Sequence, residues 1–103
     1  MHNSVILLGR IARDIEVIDK NKANIVLATQ RQYKNEEGIY ETDFIPCTLT
    51  GNIAMHTQEY CKKGDLVAIK GRLEMVDEKL NIVTEKISFL SSRTSEEGEN
   101  NNE

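Results

Sequence analysis

Five short runs of alternating apolar and polar residues, with one short helical stripe between the third and fourth, predict an all-β domain within the 103-residue chain. Glycine, asparagine and charged residues punctuate the runs where hairpins require them. So many short strands with a single small helix are best accommodated by a sheet closed on itself, a small barrel.

Asn3 to Ala12 is the first strand, with Val5, Leu7, Gly9 and Ile11 on one face and Ile6 and Leu8 on the other. Both faces are apolar in its first half. A small domain has one core, so the second face needs another cover, and a second subunit is the usual one. This makes Val5, Ile6, Leu7 and Leu8 the candidate oligomer interface; the alternative is a strand that curls so that both its faces are internal. Asp14 to Asp19 reads as a bend and a short extension, and Lys20 to Asn24 as a turn.

The second strand runs from Asn24 to Tyr33, apolar at Ile25 to Ala28, with cations Arg31 and Lys34 around Tyr33 at its far end. Asn35 to Tyr40, NEEGIY, has the composition of a hairpin tip. The chain then returns antiparallel into the third strand, which would set Tyr33 and Phe44 on adjacent strands. Along that strand Ile45, Cys47 and Leu49 alternate with Phe44, Pro46, Thr48 and Thr50. The first set is a core face, and the second is a candidate working face headed by an aromatic.

Asn52 is a plausible cap for the helix that follows. Ile53, Thr57 and Tyr60 form its stripe, with Ala54 and Cys61 beside them, which assigns Tyr60 to the core. Lys62 and Lys63 are expected in its last turn, where the negative end of the helix dipole favours cations, and Gly64 ends it. Leu66 to Val76 is the fourth strand, with Val67, Ile69, Gly71 and Leu73 inward and Lys70, Arg72 and Glu74 outward. Asp77 to Lys79 is a tight turn. Leu80 to Leu90 is the fifth strand, anchored by Ile82, Ile87 and Phe89.

This order specifies an OB-fold, a five-stranded Greek-key barrel with one short helix between strands three and four. It occupies residues 1–91, and residues 92–103 form a disordered acidic tail with too little apolar surface to offset ordering. The barrels of this class commonly hold oligonucleotides on their second and third strands, although a fold alone does not establish that use.

Charge bears on the partner. The formal net charge is −4, but four of the 17 acids fall in the last eight residues, leaving 13 to balance the 13 lysines and arginines. A neutral body binds phosphates where its cations share a face. No apolar run approaches the roughly 20 residues of a membrane span, and MHNSVILLGR is too short in its apolar part for a secretory signal. The expected location is the cytoplasm, associated with the nucleoid. Cys47 and Cys61, with His2 and His56, show no metal-ligand spacing and read as buried or idle thiols. Without a phosphate loop or a marked carboxylate pair, no catalytic residues, metal or cofactor are expected.

Four segments in succession resemble the bacterial single-stranded DNA-binding protein family: NSVILLGRIARDIEV, VLATQRQY, TDFIPCTLTGNIA and EYCKKGDLVAIKGRL. The resemblance covers residues 3 to 90. It implies sequence-independent binding and protection of single-stranded DNA in replication, recombination or repair, with assembly as a homodimer or homotetramer. Matched by position, Tyr33 and Phe44 stand where the family places stacking aromatics, and Lys63 where it places a basic contact. Periodicity and proximity add Lys62, Lys70, Arg72, Arg31 and Lys34, and Arg10 is a further contact.

The departures from the family predict a thinner groove. Thr50 stands where a third aromatic is common, Pro46 where a basic residue is common, and Ile18 where one follows the D-P-E-V run. The hairpin between Met75 and Leu80 is short and lacks its usual aromatic. Weaker binding or a shorter footprint follows. The ending EGENNNE lacks the apolar tip through which family members dock replication and repair proteins, so such partners are doubtful. Two other readings fit the residues: a primosomal accessory protein of the small OB type, and an OB-fold protein-interaction module without strong DNA binding.

Overall fold

The computed structural model describes residues 1–92 and contains six strands and one helix: β1 (Val5–Ile11), β2 (Glu16–Asp19), β3 (Lys22–Lys34), β4 (Tyr40–Thr50), α1 (Gly51–Tyr60), β5 (Leu66–Val76) and β6 (Lys79–Ser91). The strands follow the order β1-β5-β6-β4-β3-β2, and a further β1–β3 pairing closes five of them into the expected OB barrel. All pairs are antiparallel except β4–β6, joined in parallel at Cys47–Ile82 and Thr48–Val83. The expected tail lies outside the described residues apart from Ser92.

Closure depends on a close crossing. β1 pairs with β3 only at Arg10–Ala28 and Ile11–Leu27. A methyl group on Gly9 would collide with the carbonyl oxygen of Ala28, so the absence of a side chain lets the two strands meet. The remainder of β1 pairs along its other edge with β5, from Val5–Gly71 to Arg10–Leu66.

Alternation sets the core. Ile11, Ile25, Leu27, Leu49, Ile69 and Ile82 are among its fully buried side chains, and they come from all five barrel strands. Ala54 and Thr57 of α1 are buried against the barrel, with Ile53 and Cys61 partly buried beside them. Val5 and Leu7 also pack on this core, whereas Ile6 and Leu8 are exposed. The first strand therefore does not curl inward with both faces covered.

Several local expectations are corrected. The expected extension before the first turn is a strand, β2, paired to β3 and exposed throughout, but the turn expected over Lys20 to Asn24 is confined to Lys20 and Asn21, and β3 begins at Lys22. Thr50, not Asn52, is the N-cap residue of α1, and it makes no side-chain cap bond; the Gly51 amide donates to the Asn21 carbonyl instead. Tyr60 is 72% exposed. It falls at the margin of the inward stripe, which is centred on Ala54, Thr57 and Cys61, and its ring meets His56 edge-on. The helix ends at Tyr60 with an extended Cys61, so Lys62 and Lys63 lie beyond it and do not occupy its last turn.

Leu73 and Phe89 were expected inward, yet they are 41% and 48% exposed. The β5–β6 ladder shifts register at Leu66–Val67 and Lys70–Gly71, and its far half extends past the barrel wall as a free ribbon. The ribbon turns through Asp77 and Glu78, both at positive φ (51° and 65°), between paired Val76 and Lys79. That is the two-residue hairpin that suits the twist of its strands, and it confirms how short this connection is.

Candidate nucleic-acid interface

The outward face of β4 carries Phe44, Pro46, Thr48 and Thr50, because the core takes Ile45, Cys47 and Leu49. Phe44 is 60% exposed and lies opposite Ala28 of β3, whose small side chain leaves room beside the ring. Two grooves of different character open along this face.

The first groove, about 580 Å³, is bounded by Phe44, Thr42, Gln30 and Ala28 on one side and by Leu8, Arg10, Lys63 and Leu66 on the other. Its lining includes two cations and no acid. Their convergence has a backbone cause. Beyond α1, the Gly64 amide donates to the Ile11 carbonyl and the Ile11 amide donates to the Asp65 carbonyl, which ties the loop to the end of β1. Gly64 adopts φ 95°, a left-handed conformation that favours glycine. Buried Asp65 closes the turn by accepting the Lys62 amide at 2.9 Å. Arg10 Nη1 then donates to the Gly64 carbonyl at 2.9 Å, setting its guanidinium beside Lys63.

The second groove, about 710 Å³, lies between the other half of the β3–β4 face and the β5–β6 ribbon. Pro46, Thr48 and Thr50 form its floor with Asn24 and Val26, and Val76, Leu80 and Asn81 line the ribbon side. Thr48 and Asn81 meet across it at 3.2 Å between side-chain oxygens. Its cations Lys22, Arg72 and Lys79 are matched by Glu16, Glu74 and Asp77. Arg72 itself is 3.4 Å from Glu74. The first groove is thus the electropositive one.

Tyr33 is on the adjacent strand, as expected, and is 68% exposed. It is not beside Phe44: Ala28 holds that position, and Tyr33 lies five residues farther along β3, roughly 16 Å at strand rise. There the hairpin projects beyond the barrel as an arm, with a register shift between Gln30 and Lys34.

Arg31 organises this arm. Its guanidinium bonds both carboxylate oxygens of Asp43, at 3.1 and 2.9 Å, and Glu41 at 2.7 Å. The bidentate bond with Asp43 raises the Arg31 pKa and lowers that of Asp43. With two carboxylates on its fork, Arg31 has few donors left for phosphate.

Lys34 lies opposite Tyr40, its ammonium 5.7 Å from the ring centroid. Lys62 and Lys70 line neither groove; Lys70 pairs with Ile6 on the exposed face of β1 and β5. The structure therefore brings together Phe44, Arg10 and Lys63, sets Tyr33 and Lys34 on the arm, and places Arg72 in the second groove. Gln30 and Thr42 are lining residues that no motif marked. Tyr40, assigned by composition to a hairpin tip, is the first residue of β4, and counting back by twos from Phe44 finds it.

Cys47 is buried and its thiol is pushed up to about 12 by desolvation, so it stays protonated and inert at neutral pH. The Cys61 thiol is raised too, by burial and by Asp65. Among the described residues no group of three or more His, Cys, Asp or Glu is placed to hold a metal ion. No helix among them is long and apolar enough to cross a membrane.

Known proteins resemble this chain in sequence and in fold. Single-stranded DNA-binding protein 1 of Clostridium acetobutylicum is 37% identical over 78 residues, covering 71% of this chain and 71% of its own. Single-stranded DNA-binding protein B of Bacillus subtilis is 37% identical over 78 residues, covering 72% of this chain and 69% of its own. The crystal structure of the small single-stranded DNA-binding protein from Streptomyces coelicolor superposes with a TM-score of 0.70 at 20% identity. It covers 86% of this chain and 94% of its own, a likeness of fold. The model of the single-strand binding protein family matches residues 2–90, and the chain belongs to that family.

Proposed function

We propose that this protein binds single-stranded DNA without sequence preference, by base stacking and phosphate contacts, and makes or breaks no bond. The observation that carries this reading is the first groove, where an exposed aromatic faces two cations with no acid in the lining. Every base presents a π-face to a ring such as Phe44, so stacking tolerates any sequence. Arg10 and Lys63 supply local positive charge that the net charge of −4 conceals. From this groove the strand passes over Pro46 and Thr50 into the second, where the balanced charges hold it less firmly. Tyr33 and Lys34 contact it on the arm. Arg31 positions the arm, and Lys62 and Lys70 contribute through the general field. The cellular setting is exposed single strands in replication, recombination or repair, in the cytoplasm at the nucleoid. Of the three readings of the sequence, this is the one that family membership supports.

The test is fluorescence anisotropy of labelled oligo-dT and of duplex DNA at several salt concentrations. Oligo-dT is expected to bind the more tightly, with log K falling linearly against log salt at about 0.7 per phosphate neutralised. Equal affinity for duplex rejects the single-strand reading, and no binding at low salt rejects it in favour of a protein-interaction module.

Self-association as a homodimer or homotetramer is part of the same proposal. Ile6 and Leu8 are 76% and 58% exposed on a strand whose residues before Arg10 pair along only one edge. Val5 and Leu7 support that face from the core. Burial of such a row and pairing of the free edge are mutually reinforcing. Ile6→Asp combined with Leu8→Asp is expected to convert the assembly to monomer in sedimentation velocity; an unchanged assembly would move the interface elsewhere.

A further inference from the structure

Tyr40 is 44% exposed, and its parity along β4 sets it on the same face as Thr42 and Phe44, roughly 13 Å from Phe44 at strand rise. Thr42 and Phe44 line the first groove, so the row Phe44, Thr42, Tyr40 leads out of it onto the arm. Lys34 is the cross-strand partner of Tyr40, with its ammonium over the ring at 5.7 Å from the centroid, and the residue keeps its 44% exposure with that cation in place. We propose that Tyr40 is a third base-stacking position, with Lys34 beside it as the phosphate contact, extending the single-strand path from the Phe44 groove along the β3–β4 arm. This deepens the reading above and rests on it.

Three features favour a nucleotide as the occupant. An aromatic ring next to an ammonium matches the base and phosphate of one unit of the strand. The two acids within this part of β4, Glu41 and Asp43, alternate to the opposite face, where Arg31 bonds both, so the row Tyr40, Thr42, Phe44 carries no carboxylate. The arm is also ordered in advance. Asn35 Oδ1 accepts the amides of Glu37 and Ile39, and Asn35 Nδ2 donates to Glu41 at 3.1 Å. A prearranged arm loses little conformational freedom when a strand lies along it.

The contrary possibility is that Lys34 and Tyr40 do no more than hold the hairpin together. The chain has three tyrosines and no tryptophan, which allows a direct test. Replacing Tyr33 and Tyr60 by Phe keeps their rings and leaves Tyr40 the sole emitter. Its fluorescence is titrated with oligo-dT while anisotropy of the labelled oligonucleotide reports binding. Tyr40 emission is expected to fall with the same midpoint as the anisotropy rise. In the parent, Tyr40→Leu should weaken binding by roughly tenfold and Tyr40→Phe should restore it. Binding accompanied by unchanged Tyr40 emission overturns the proposal and leaves Phe44 and the function standing. Failure of the parent to bind oligo-dT overturns the function, and this extension of it as well.

Discussion

Leu49→Ala is expected to lower the unfolding free energy by about 2–5 kcal/mol, the range for truncating a fully buried leucine. Leu49 is 0% exposed and pairs across the ladder with Ala23, which is equally buried. Ala23 has no further side-chain atoms to move into the vacated volume, so the cavity is expected to persist. A small domain has about 5–15 kcal/mol of stability in total, so this one change removes a large share of it. Urea unfolding followed by far-UV circular dichroism measures it, with a lower midpoint at an unchanged slope. A loss well under 1 kcal/mol would mean that the barrel interior repacks around the site. It would also contradict the view that this core is closely filled.

Phe44→Ala should weaken oligo-dT binding by about 1–3 kcal/mol, a loss of roughly five- to 150-fold, with little effect on the unfolding midpoint. The two effects separate because Phe44 is 60% exposed on the outward face of β4 and gives the core little. Tyr33→Ala should produce an independent loss. At roughly 16 Å apart along the strands, the two rings share no neighbours, so their effects should add. Salt dependence separates stacking from ion pairing. Phe44→Ala should lower affinity equally at every salt concentration, whereas Lys63→Ala should flatten the slope by about 0.7. If Phe44→Ala leaves affinity unchanged, the groove beside Phe44 is not where bases stack.

Much of this architecture was legible in the sequence because period-2 patterning is a local property of the chain. In Phe44 to Thr50 every second residue is core, and an alternation of that length fixes strand, face and the outward direction of Phe44 together. The Asp77–Glu78 pair punctuated the chain correctly for the same reason, since turn chemistry is read within a few residues; Gly64 marks a turn too, but one that lies beyond the helix it was expected to end. Family resemblance added the roles expected of Tyr33, Phe44 and Lys63, which patterning alone does not distinguish from a solvated face.

Errors arose where a residue's fate depends on what lies across from it. Leu73 and Phe89 keep the apolar alternation of inward positions, but they lie toward opposite ends of the β5–β6 ladder, Leu73 where the ribbon leaves the barrel and Phe89 opposite Val67 beside a register shift, and both are exposed. Tyr60 sits on a helical stripe, yet the helix ends there at the margin of its buried face. Arg31 has the position of a phosphate contact, and only the antiparallel return of β4 reveals that Asp43 and Glu41 engage it first.

By itself, then, the sequence determined the closed barrel, the order of its elements, the core faces and the aromatic that heads the working face. These follow from short-range periodicity and the burial it demands. Only the tertiary structure decided which cations meet that aromatic, since Arg10 and Lys63 are far apart in the chain. They converge because the loop after α1 is hydrogen-bonded to the end of β1. Charge in a sequence is a sum, whereas binding depends on its placement, and the closure of the barrel sets that placement.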